Sequence, residues 1–89
     1  MLYLVTYTLN PSRDATKVIS TLQESPYWAH YMDDAWLIST RETIDQLYSR
    51  IIPSFIKTDR IIIVPITQYK GWLPQEAWDW IKEKQRAFD

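Results

Sequence analysis

The sequence predicts an α+β sandwich, with strands and helices in the order β-α-β-β-α-β and one further helix at the C-terminal end. Three observations carry this. Leu2–Leu9 and Ile61–Ile66 are apolar on both pleat faces, as strands covered on two sides are. Ala15, Val18, Ile19 and Leu22, and again Ile44, Leu47, Tyr48 and Ile51, recur at i, i+3, i+4 and i+7, the stripe of an amphipathic helix. Tyr27–Ser39 reads YWAHYMDDAWLIS, two short aromatic-rich runs around Asp33-Asp34, the pattern of a hairpin tip.

Taken in order, Asn10-Pro11-Ser12 ends the first strand, and Ser12 or Asp14 is placed to cap the first helix. Ser25-Pro26 stops that helix, because the residue before Pro is pushed to extended geometry. A two-residue loop at Asp33-Asp34, where Asp tolerates left-handed geometry, sets Tyr31 against Trp36 and His30 against Leu37. In that register Trp28, His30 and Met32 share a face with Leu37, and Ala29, Tyr31, Trp36 and Ile38 share the other; a one-residue shift swaps the two sets. Thr40 is placed to cap the second helix, which Pro53 ends, and Phe55 and Ile56 are expected to tuck under the sheet. Pro65 puts the far end of the last strand at an edge. Gly71 allows a sharp turn, and Pro74 suits the first turn of a helix from about 75 to 85, with Lys82, Lys84 and Arg86 near its end. This is the ferredoxin-like split βαβ arrangement, a single domain over 1–89 with an antiparallel sheet and two helices on one face. Its fourth strand is an edge, and an edge reading IIIVPI needs a cover. The third helix and a second copy of the chain are both expected to supply it.

Composition narrows the function. A chain of 89 residues buries only roughly 60–65 % of its unfolded surface. Five Trp and six Tyr exceed what one such core holds, so some belong at an interface. Ten basic against eleven acidic residues give no general field for nucleic acid. The absence of cysteine excludes disulfides and thiolate chemistry, and a single glycine excludes phosphate-cradling loops. The opening MLYLVTYTLN reads as a strand rather than a signal peptide, and no apolar run approaches the roughly 20 residues of a membrane span, so a cytoplasmic setting is the default.

Four sets of residues are candidates for function. His30 is the only side chain that titrates near neutral pH unperturbed, hence the candidate acid or base; the plainer reading is a packing residue bonded to backbone. Asp33 and Asp34, with His30 three or four residues away, could hold a metal, but the spacing runs along a strand into a turn and turn chemistry explains both, so no metal ligand is assigned. Thr8, Asn10, Ser12 and Arg13 gather where the first strand meets the first helix, the best place for a phosphate, with a capped helix and a solvated arginine as the alternative. Trp28, Trp36, Ile61, Ile63 and Trp72 are expected at a homodimer interface. Aromatics on the sheet could instead stack unpaired bases, although no basic stripe interleaves them.

The order of elements, with Val5–Asn10 (VTYTLN), Trp28–Tyr31 (WAHY), Ala35–Ile38 (AWLI), Asp59-Arg60-Ile61 and Gly71-Trp72, resembles the SinR-like family of small proteins related to the CRISPR-associated Cas-two and VapD-like group. The resemblance implies a ferredoxin-like homodimer, with a setting in phage defence, toxin–antitoxin or mobile-element biology. It also implies metal-dependent nuclease chemistry with Mg²⁺ or Mn²⁺ at the dimer axis. In the Cas-two group a Tyr-Asp pattern ends the first strand and supplies one carboxylate per subunit. Here the matching position is Thr8 after Tyr7, and a hydroxyl brings no charge for a hard cation. The leading expectation is therefore a homodimeric interaction protein without cofactor, with a nuclease acting on RNA or DNA as the alternative.

Overall fold

The computed structural model describes residues 1–85 of the chain, so Arg86 lies outside the described residues. Strands β1 (Leu2–Thr8), β2 (Tyr27–Met32), β3 (Ala35–Ser39) and β4 (Arg60–Pro65) alternate with helices α1 (Thr16–Gln23) and α2 (Ile44–Ile51). A single 3₁₀ turn, Ile52–Ser54, follows α2, and α3 (Gln75–Gln85) closes the described chain. The protein is an α+β structure with one four-stranded antiparallel sheet, ordered β2-β3-β1-β4. No helix among the described residues is long and apolar enough to cross a membrane.

Strand alternation divides the side chains of β1 between two cores. Tyr3, Val5 and Tyr7 point toward α1 and α2, where they meet Val18, Leu22, Leu47 and Ile51, together with Trp36 and Ile38 of β3. All of these are buried, and burying each large aliphatic contributes about 1.5–3 kcal/mol. The Trp36 indole N–H donates to the Tyr7 hydroxyl at 3.0 Å, which satisfies the polar atom of the largest core side chain. Leu2 and the half-buried Leu4 point the other way and pack with Ala29, Leu37 and Ile81. Helix α3 therefore crosses the face of the sheet opposite α1 and α2. The Ser39 hydroxyl donates to the Lys84 carbonyl at 2.8 Å, and the Lys84 ammonium sits 4.3 Å over the Tyr27 ring.

The expectation that α3 covers the last strand is corrected by this placement: α3 lies toward β2 and β3, and β4 stays open. The Ile66 N–H donates to the Leu2 carbonyl at 2.8 Å. Counting back by two along the β1–β4 register puts Val64 and Ile62 in bonded pairs with Leu4 and Thr6. The backbone groups of Ile61 and Ile63 therefore face outward. Pro65 falls in the same outward set, where it removes one donor from the open edge.

The hairpin has the expected two-residue loop, with Met32 paired to Ala35, but the register breaks between Ala29 and Met32. Two residues, His30 and Tyr31, oppose Trp36 alone, which is a β-bulge. Ahead of the break the expected faces are exchanged, with Trp28 paired to Ile38 on the α1–α2 side and Ala29 paired to Leu37 on the α3 side, while Met32, beyond it, shares the Leu37 face as expected. No described residue has a positive φ, so the loop lacks the left-handed residues of the turns that match strand twist. The bulge, which increases local twist, takes up that mismatch. For the same reason Gly71 is not required by backbone conformation; a Cβ there would meet Trp78 at 4.0 Å, an ordinary contact.

Three smaller expectations change. Thr43 rather than Thr40 caps α2: its hydroxyl accepts the Gln46 N–H at 3.2 Å while the Gln46 side chain accepts the Thr43 N–H at 2.9 Å, a capping box. Helix α1 starts at Thr16, whose N–H donates to Asp14 at 2.9 Å, so Ser12 is no cap. Phe55 packs edge-on to Tyr7, but Ile56 turns out to solvent.

Candidate functional site

His30 is exposed and held on two sides. Its ring stacks on Trp36 with centroids 4.1 Å apart and planes 12° from parallel, and Trp28 flanks the same indole at 5.4 Å. Its Nε2 lies 2.8 Å from the Asp33 carbonyl. A carbonyl only accepts, so Nε2 is the donor of this bond. The arrangement shields the edge of the core and pins the hairpin loop to its own strand. Asp33 and Asp34 sit at the loop tip, and no group of three or more His, Asp or Glu among the described residues converges to hold a metal ion.

The residues proposed for phosphate contact are brought together, but largely to bind one another. Asn10 donates its N–H to Asp59 at 2.8 Å and its amide to Thr58 at 3.0 Å, while its oxygen accepts the N–H and hydroxyl of Ser12. Arg13 forms an ion pair with Asp59 at 2.8 Å and donates to the Ser54 carbonyl at 2.7 Å. These groups clamp the β1–α1 connection to the turn before β4, and the Asp14 carboxylate at the start of α1 disfavours an added anion. Thr8 is exposed and paired with Arg60 at the end of the sheet, apart from this clamp. Asp59, which enters the sequence reading only within the Asp59-Arg60-Ile61 piece of the resemblance, is the hub. Burial works to raise its pKa, but the N–H groups of Ile56 and Asn10 and the Arg13 guanidinium outweigh it and hold the carboxyl below its usual range. A second clamp joins α1 to α2, where Arg50 reaches both oxygens of Glu42, the Thr21 carbonyl and the Ser25 hydroxyl. Arg50 and Thr40 lower the Glu42 pKa against the effect of burial.

The expected interface residues separate. Trp36 is only 1 % exposed and belongs to the core, so it cannot contact a second chain; its bond to Tyr7 explains how a Trp is accommodated there. Ile61 and Ile63 are half-buried against the α1–α2 core and, with the exposed Ile44 and Tyr48, line a shallow recess at the β4 edge. Trp28 is half exposed at the far edge of the sheet, on the α1–α2 side. Trp72 is fully exposed, on the α3 side.

Around Trp72 lies the feature that sequence reasoning missed. The segment between β4 and α3 arches over the sheet and leaves a cleft of about 330 Å³, floored by Leu2, Leu4 and Leu37 and walled by Val64, Trp78 and Ile81. Met32 and Tyr69 also line it and are exposed at 49 % and 40 %. Ile62, two residues from Val64 on the same pleat face, is 59 % exposed. The signal was present in Leu2 and Leu4 of β1 and in Ile62 and Val64 of β4, apolar residues on one pleat face that a single helix must cover. No protein-family model, curated protein or solved structure significantly matches this chain.

Proposed function

We propose that the chain is a homodimeric ferredoxin-like interaction module of the Cas-two and VapD-like type, acting in the cytoplasm without catalysis of its own. The observation that carries this reading is the contiguous apolar surface on the α3 side of the sheet, formed by Ile62, Val64, Met32 and Trp72 around an open cleft. Surfaces of this kind on a small chain mark association sites. The strand order β2-β3-β1-β4, with α1 and α2 packed together on one face, supports the ferredoxin-like assignment. A setting in phage defence, toxin–antitoxin or mobile-element biology follows from the sequence resemblance alone.

A nuclease would need a carboxylate where Thr8 stands, and the His30 imidazole is tied to the hairpin loop. The test is incubation of the folded chain with single- and double-stranded RNA and DNA in Mg²⁺ or Mn²⁺, with chelator and His30→Ala as controls. The interaction reading expects no cleavage under any of these conditions. Cleavage that requires the metal and disappears in His30→Ala would overturn it in favour of a metal-dependent nuclease.

A further inference from the structure

We propose that two copies of the chain join about a two-fold axis beside Trp72, each Trp72 indole entering the cleft of the other copy. This rests on the homodimer reading above and names its seat.

Trp72 is 101 % exposed, so its indole gains nothing from its own chain, although a buried aromatic of this size removes on the order of 250 Å² from water. The cleft it borders, about 330 Å³ with walls of Leu2, Leu4, Leu37, Val64 and Ile81, is an unfilled apolar site within the size range of ligand pockets. A protruding aromatic and an apolar recess side by side on one face meet the requirement of an isologous contact. Residue i of one copy must meet residue j of the other, and j must meet i in return.

Area favours a protein over a small molecule. A ligand confined to the cleft would leave Ile62 uncovered at 59 % exposure, outside the cleft lining. Trp72, Ile62, Val64, Met32 and Tyr69 together offer several hundred Å² per copy, approaching the roughly 800 Å² per partner of a stable interface. A net charge of −1 sets little repulsion between identical copies. Pro65 weakens the competing route, pairing of two β4 edges, by removing an outward donor.

Sedimentation velocity over a concentration series tests the proposal with the full chain, Trp72→Ala and Val64→Lys, each checked for folding by circular dichroism. The full exposure of Trp72 makes the first variant safe for the fold. The wild-type chain is expected to dimerise, and Trp72→Ala to weaken the dimer by at least about 30-fold, as loss of a central aromatic anchor does. Val64→Lys, which places a charge at the cleft wall, is expected to weaken it similarly. Acrylamide quenching supplies an independent reading, since the fluorescence lost in Trp72→Ala should be shielded only above the dimerisation concentration. A wild-type chain that stays monomeric removes the homodimer reading and the proposal together. A wild-type dimer that Trp72→Ala leaves equally tight, or a Trp72 signal quenched equally at both concentrations, overturns the seat at Trp72 alone.

Discussion

On the α1–α2 side of the sheet, Val5, Val18, Leu22, Ile38, Leu47 and Ile51 are wholly excluded from water. On the α3 side, Leu2, Ala29, Leu37 and Ile81 are buried, while Ile62, Val64, Met32 and Trp72 face solvent. The two faces belong to the same strands and draw on neighbouring residues. What differs is the cover: two amphipathic helices locked together by the bonds of Arg50 to the Thr21 carbonyl and the Ser25 hydroxyl on one side, and one helix displaced toward β2 and β3 on the other. The first face encloses the larger core and carries the fold. The second is only half covered, and its open half leaves Ile62, Val64, Met32 and Trp72 toward solvent.

Substitutions should separate the two roles. The largest loss of stability is expected for Leu47→Ala, which opens a cavity in the closed face: about 2–5 kcal/mol in chemical denaturation, and a fall in Tm of at least about 8 °C. Next comes Tyr7→Phe. It leaves the buried Trp36 N–H without its acceptor at a cost of about 1–3 kcal/mol. The two clamps predict an acid limb. Asp59 and Glu42 have pKa values lowered from ordinary values of 3.8 and 4.5, so the unfolded chain binds more protons between the folded and unfolded values. Their contribution is full above about pH 5 and is lost as pH falls through the lowered values; in Asp59→Asn, stability followed by urea titration should fall less steeply below pH 5. His30→Ala uncovers the Trp36 ring and should cost about 0.5–1.5 kcal/mol in the same titration. The smallest effect on stability, within about 0.5 kcal/mol, is expected for Ile62→Ser, which should nevertheless weaken association. An Ile62→Ser variant that unfolds as readily as Leu47→Ala would erase the distinction between the faces.

Much of the chain was legible because local chemistry and tertiary role agree. The run of β1, apolar on both pleat faces, and the i, i+3, i+4 stripe of α1 mark buried elements directly. The hairpin was half legible. Asp33-Asp34 marks the loop, but the bulge at His30-Tyr31 depends on backbone twist, which residue types do not encode, and it reversed the faces of Trp28, Ala29 and His30 while leaving Met32 where expected. The stripe of α2 was also only half buried, since Ile44 and Tyr48 are exposed beside the open β4 edge. The hub role of Asp59 was not legible because two of its donors, in Arg13 and Asn10, lie 46 and 49 residues away. The cleft escaped notice for a similar reason: it exists only where the β4–α3 segment arches over the even-numbered residues of β1.

The most direct test of the account is the mass of the intact chain in solution, measured by light scattering across a hundredfold range of concentration. If the open half of the α3 face is an association surface, the mass rises to twice the 10.7 kDa of one chain within that range. A mass that stays at 10.7 kDa throughout would contradict it and leave the exposed face of Ile62, Val64 and Trp72 without the partner assigned to it.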